Sequence, residues 1–204
     1  MSSTEPAVFI VDDDDAMRDA LQVLIRSAGM QAQAYSGAEE FLENYVPQRT
    51  GCLLLDVRMP GMDGIKLQEK LAAERIDIPI VFISGHGDIP MAVRAMQKGA
   101  VDFIAKPFRE QVLLDTVRRA IQRDAQRRCR QADRAAVEDR LATLVPRERE
   151  VLDLVVAGKR NKVIAAELGL SHKTIEYHRG KIMAKMQAES TADLVRMVLA
   201  IRGS

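Results

Sequence analysis

Short apolar runs punctuate the first half of the chain: Ala7–Val11, residues 52–57, 79–83 and 101–105, with a weaker alternating run over Gln31–Tyr35. Between them the apolar spacing changes to three and four, as in Met17, Leu21, Leu24, Ile25 and Ala28, which puts those residues on one helical face. This alternation predicts a (βα)5 unit, a doubly wound parallel sheet with helices on both sides, because strands apolar on both faces must be covered on both faces. Punctuation agrees. Gly29 closes the first helix, Ser36 with Glu39 is placed for a capping box on the second, the third starts near Asp63 and runs through Leu67 and Leu71, and Asp88 with Pro90 opens the fourth.

Residues 108–145 contain neither Gly nor Pro and are dominated by Ala, Arg, Gln and Glu, so the fifth helix is expected to continue past its domain as a connector. At about 1.5 Å per residue it can reach roughly 50 Å. Its later apolar stripe, Ala125, Cys129, Ala132 and Ala136, is thin, which suits a solvated or frayed linker as well as a helix that pairs with a second copy. After Pro146 come four compact helical segments, over 147–157, 162–168, 172–186 and from Thr191 onward. A short helix, a turn at Gly169, Leu170 and Ser171, and a longer helix make a helix-turn-helix pattern. The expected division is residues 1–122, a connector over 123–143, and a small all-α domain over 144–204.

Composition narrows the class. With 47% hydrophobic and 29% charged residues in 204, the chain is globular. No run approaches about 18 apolar residues and no basic stretch precedes the first strand, so neither a membrane span nor a signal peptide is expected, and the cytoplasm is. Cys52 and Cys129 lack metal-ligand spacing and read as free thiols. The net charge of +1 conceals an asymmetry: residues 1–108 carry 10 basic and 16 acidic side chains, and residues 109–204 carry 20 and 13. The two parts should therefore have different partners, and the basic one is compatible with nucleic acid.

Candidate chemistry concentrates in residues 52–64, CLLLDVRMPGMDG, where a buried strand delivers Asp56 to its carboxyl end. Asp12 and Asp13 follow the first strand, Ser84 the fourth and Lys106 the fifth. In a sheet of order 2-1-3-4-5 these ends converge. Three clustered carboxylates call for a cation, and oxygen-only ligands with room for phosphate and water favour Mg²⁺. Lys106 offers a point charge to a phosphoryl oxygen, Ser84 a hydroxyl, and Asp56 a carboxylate nucleophile for an acyl phosphate. Asp14 and Asp15 fall at the first helix's N-terminus, where the dipole favours acids, and carry no assigned chemistry.

VDDDD, LLLDVRMPGMDG and ISGHGDIPMAVRAMQKGAVDFIAKPF, with the C-terminal segment, resemble a two-component response regulator of the FixJ/NarL type. Such proteins join a receiver domain to a LuxR-type helix-turn-helix. The resemblance implies that Asp56 is the phosphoacceptor of a partner sensor histidine kinase. It also implies that Asp13, Asp56 and the backbone carbonyl of Arg58 hold Mg²⁺, with Asp12 acting through water. By the same likeness Ser84 and Phe103 switch together, the Lys106–Pro107 bond is cis, and output is a population shift across the fourth helix, fifth strand and fifth helix. Core packing is the alternative for Phe103.

In the C-terminal part Ser171 is an N-cap, and Ile175, His178, Ile182 and Met186 form the stripe facing the core, His178 as a packed or hydrogen-bonded residue. SHKTIEYHRGKIMAKM resembles a LuxR-type recognition helix. Lys173, Glu176, Tyr177 and Gly180 are then placed for base edges, and Thr174, Arg179, Lys181, Asn161 and Lys162 for phosphates. Three features depart from the family pattern or limit its transfer: Val145 stands where a Thr cap is common, Gly180 interrupts the helix, and Glu176 either accepts from cytosine or repels phosphate.

The resulting expectation is a transcriptional regulator in which phosphorylation of Asp56 promotes a homodimer on paired half-sites of double-stranded DNA. It is not a metabolic enzyme, although the receiver can catalyse its own phosphoryl transfer and slow dephosphorylation. An aspartate-nucleophile phosphatase using Asp12 and Asp14, and a DNA-binding protein indifferent to phosphorylation, are the rival readings.

Overall fold

The computed structural model describes residues 5–46, 49–85 and 89–202. The chain forms two compact units, Met1–Arg128 and Cys129–Ser204. In the first, strands β1 (Ala7–Val11), β2 (Gln31–Tyr35), β3 (Gly51–Asp56), β4 (Ile80–Ser84) and β5 (Asp102–Ala105) pair in parallel in the order β2-β1-β3-β4-β5. Helices α1 (Asp15–Ser27), α2 (Ala38–Asn44), α3 (Gly64–Ala73), α4 (Ile89–Gln97) and α5 (Glu110–Ala142) follow the strands. Strand periodicity splits the core into two layers. Phe9, Leu53, Leu55 and Phe82 meet Phe41 and Leu67 on one face, whereas Val8, Ile10, Leu54, Val81 and Ile83 meet Leu21, Ile25, Leu113 and Val117 on the other. β2 is an edge strand with Gln31 and Gln33 exposed, which explains its weaker apolar signal.

Helix starts follow local chemistry. Asp14 caps α1, accepting from Ala16 N at 2.9 Å and Met17 N at 3.3 Å, and Asp63 caps α3 through Lys66 N at 2.8 Å. The capping box expected of Ser36 and Glu39 does not form. Gly37 is the N-cap of α2, which places Ser36 one residue earlier, so Glu40 rather than Glu39 reaches back to the Ser36 amide and hydroxyl, both at 2.7 Å. Asp88, expected to open the fourth helix, lies outside the described residues, and α4 carries Pro90 in its first turn.

α5 is helical throughout its 33 residues. Ala125, Cys129, Ala132 and Ala136 are exposed along it, while Val137 and Leu141 pack into the second unit's core. That core unites Leu144 with Val151, Leu152 and Val155 of α6 (Pro146–Val156), Ile164 of α7 (Asn161–Leu168), Ile175, Ile182 and Met186 of α8 (His172–Met186), and Leu194 and Val198 of α9 (Thr191–Arg202). Gly169 ends α7 at φ +64°, and Ser171 caps α8 by accepting from Thr174 N at 3.1 Å. Among the described residues no helix is long and apolar enough to cross a membrane.

Candidate functional site

Parallel pairing aligns the carboxyl ends of β1, β3, β4 and β5, and the polar residues gather there. Lys106, following β5, donates from Nζ to Asp12 Oδ2 at 2.8 Å and to Asp56 Oδ1 at 3.0 Å. The other carboxylate oxygens take backbone amides: Asp56 Oδ2 from Arg58 at 2.7 Å and Asp12 Oδ1 from Asp14 at 2.9 Å. Asp12, Asp56 and Ser84 are buried, whereas Asp13 is exposed. Gly64 brings the start of α3 against β3, where a Cβ would lie 2.3 Å from the Asp56 carbonyl oxygen. The Lys106–Pro107 bond is cis, and the Lys106 amide donates to Ser84 O at 2.9 Å.

Burial pushes the Asp56 carboxyl above its ordinary value; Lys106 opposes this, the Asp12 charge adds to it, and the Arg58 amide opposes it. For Lys106, burial alone would lower the ammonium, but the hydrogen bonds and charges of Asp12 and Asp56 carry it above its ordinary value. The ammonium therefore stays charged between two carboxylates, and burial of Asp56 works against the charge on one of them. A further cation, Arg18 of α1, donates from Nη1 to the Asp12 carbonyl at 2.7 Å and pairs with Asp15. Its place in the sequence does not single it out. Its only signal was a cation placed three residues after an acid at the start of a helix.

Among the described residues no three acidic, histidine or cysteine side chains converge as a ready-made metal cage. The donor set is nevertheless all oxygen: Asp12 and Asp56 are buried carboxylates bridged by Lys106, and Asp13, the residue after Asp12, is exposed. Mg²⁺ is commonly held by one or two carboxylates with phosphate and water completing its shell, and the residues present fit that mode. Phe103 is half-buried, packs on the core and lies 6.1 Å from the Phe82 ring.

The second candidate region is α8. Ile175, Ile182 and Met186 are buried, and His178 is half-buried with Nδ1 enclosed and without a hydrogen-bond partner among the described residues. Lys173, Glu176, Tyr177, Gly180 and Lys181 are exposed, as is Lys162 of α7; Thr174, Arg179 and Asn161 are half-buried. Arg179 donates to Thr191 Oγ1 at 2.9 Å, and the Thr174 hydroxyl meets that of Ser171 at 2.7 Å, so both are already engaged within the unit. Lys181 Nζ lies 4.6 Å from the Tyr177 ring centroid, and its hydrogen bond with Tyr177 raises the ammonium above its ordinary value. His172 Nδ1 is 3.6 Å from Glu176 Oε1.

A doubly wound sheet with this acidic strand-end cluster defines a receiver, and the four helices after it carry a helix-turn-helix. Residues 8–118 match the response regulator receiver domain, and residues 142–198 match the luxR family of bacterial regulatory proteins. The chain belongs to the response regulators that join these two domains. It is 51% identical to Nodulation protein W of Bradyrhizobium diazoefficiens over 96% of this chain and 86% of that protein. It is 41% identical to Transcriptional regulatory protein FixJ of the same organism, over 97% and 96% of the two chains. Among solved structures, response regulator StyR superposes with a TM-score of 0.87 at 48% identity, covering 95% of this chain and 98% of that one.

Proposed function

We propose that the chain is a cytoplasmic, phosphorylation-controlled transcriptional regulator whose phosphoacceptor is Asp56. The observation that carries this reading is the Lys106 ammonium bridging Asp12 and Asp56 at the end of the central strand, in a chain that also presents an exposed recognition helix. A sensor histidine kinase supplies the phosphoryl group: an Asp56 Oδ forms the new P–O bond while the P–N bond of the kinase phosphohistidine breaks. Asp13, Asp56 and the Arg58 carbonyl would hold Mg²⁺, with Asp12 acting through water. When bound, the ion neutralises charge between the carboxylate and the incoming phosphoryl oxygens.

Once Asp56 is converted to the acyl phosphate it releases Lys106 Nζ toward a phosphoryl oxygen, and the Ser84 hydroxyl turns to another, with Phe103 following inward. The receiver can promote its own transfer from a small donor and its own slow hydrolysis. Exposed Ile89, Val93 and Met96 on α4, at 81%, 47% and 43%, support pairing of two receivers through that helix. A dimer would set two copies of α8 on paired half-sites of double-stranded DNA, with Lys173, Glu176, Tyr177 and Gly180 toward base edges. Lys181, Lys162, Asn161, Thr174 and Arg179 would face phosphates, the last two after leaving their present partners. The phosphatase alternative needs Asp14 as its acid, and that side chain is committed to capping α1.

Treating parent and Asp56→Asn with acetyl phosphate and Mg²⁺ tests the reading. Parent alone should gain the mass of one phosphoryl group and bind DNA more tightly. Equal DNA affinity in all four samples would overturn it in favour of constitutive binding.

A further inference from the structure

The acidic site uses the carboxyl end of β3, while the amino end of the same strand holds a charged cluster with no part in that chemistry. Asp124 of α5 is 0% exposed and is the last buried residue of that helix. Its Oδ2 accepts from the Gly51 amide at 3.0 Å and from Arg128 Nε at 2.7 Å, and its Oδ1 from Arg127 Nη2 at 2.5 Å. The two arginines reach outward. Arg127 Nη1 meets Asp77 Oδ2 at 2.6 Å just before β4, and Arg128 Nη2 meets the Arg49 carbonyl at 3.0 Å just before β3. Gly51 is paired with Ala7 of β1 and no side chain fits in its place, because a Cβ there would lie 2.0 Å from the Ala7 carbonyl oxygen.

A leucine at position 124 would hold the helix by burial, and a buried ion cluster adds little net stability over such a residue. It adds direction. The carboxylate must meet an amide and two guanidinium groups at once, which fixes both the rotation and the rise of α5 on the sheet. Beyond it, no residue over 125–136 is buried, so this cluster is the last attachment of α5 within the first unit. Gly51 and Asp56 bound one six-residue strand, with the phosphoacceptor at one end and the root of the connector at the other.

We propose that Asp124 is the positioning residue that couples the receiver to the connector: clamped by Gly51, Arg127 and Arg128, it passes a change in the receiver into α5. Unclamped, the helix root absorbs that change. The inference rests on the reading that phosphorylation of Asp56 controls DNA binding.

The experiment compares full-length parent, Asp124→Asn, Arg128→Ala and the control Arg123→Ala, an exposed residue on the same helix. Each is measured with and without acetyl phosphate and Mg²⁺. Binding is read on a duplex selected from a random pool by the phosphorylated parent, alongside intact mass and amide exchange over 121–136. In Asp124→Asn and Arg128→Ala the phosphorylation-induced gain in affinity should fall by about tenfold, within the usual coupling range. Mass gain and unphosphorylated affinity should stay at parent values, and exchange over 121–136 should quicken. Arg123→Ala should behave as parent. A folded Asp124→Asn that keeps the parent's gain overturns the inference; if that variant does not fold, Arg128→Ala decides by the same criterion. Loss of the phosphoryl mass gain in the clamp variants also overturns it, because the defect would then lie at Asp56. A parent that shows no gain removes the underlying functional reading itself, and the inference with it.

Discussion

Glu148 and Asp124 are both buried carboxylates, one in each unit, and each survives burial because its donors are fixed by the fold. Glu148 accepts from Lys185 Nζ at 2.6 Å and from the Val145 amide at 3.1 Å. The Lys185 hydrogen bond, helped by the Val145 amide and the Lys185 and Lys181 charges, holds its carboxyl below the usual range although burial works the other way. A depressed folded-state value means that its stabilisation is present above the unfolded value of 4.5 and is lost as the pH falls through the folded one. Glu148→Gln should therefore destabilise the C-terminal unit by about 1–2 kcal/mol at neutral pH and flatten its acid limb. Thermal unfolding of both proteins at neutral pH and below the folded-state value checks this, and an equal difference at the two would contradict it.

At the scale of elements, helix ends are where local sequence and long-range contacts divide the work. Asp14, Asp63 and Ser171 cap their own helices from the sequence alone. The carboxyl ends in the second unit are instead covered by cations from other elements: Arg147 donates to Leu168 O at 2.7 Å, Arg149 to Leu144 O at 3.2 Å, and Arg140 to Met186 O at 3.4 Å. Val145 sits at the N-cap of α6 with extended backbone, φ −71° and ψ 160°, and its apolar side chain offers no acceptor, so half of a capping box is missing. Supplying an acceptor there should stabilise. Val145→Thr is expected to add about 1 kcal/mol, read as a rise in the C-terminal unit's melting transition with the receiver transition unmoved.

For the whole molecule, the exposed α4 stripe separates the chemistry from its output. Val93 is 47% exposed on α4 and is not one of the acidic-site residues, so Val93→Asp should leave phosphorylation intact while opposing association of two receivers. Light scattering after acetyl phosphate treatment should show parent shifting toward dimer and Val93→Asp remaining monomeric with the same mass gain. Dimerisation of the variant would move the pairing surface elsewhere.

The sequence by itself determined the parallel sheet, the strand-end positions of Asp12, Asp56, Ser84 and Lys106, and the buried stripe of α8, because each follows from a periodicity of two or 3.6 and its local punctuation. Which side chains would meet was decided only by tertiary structure. Lys106 reaches Asp12 and Asp56 across 94 and 50 residues, and Asp124 reaches the Gly51 amide across 73. Within its own segment Asp124 is one acid in a charged, Arg-rich helix and reads as solvated. Burial against the amino end of β3 turned it into the most enclosed carboxylate among the described residues of the receiver, and no local pattern could announce an amide donor that only the packed sheet brings to it.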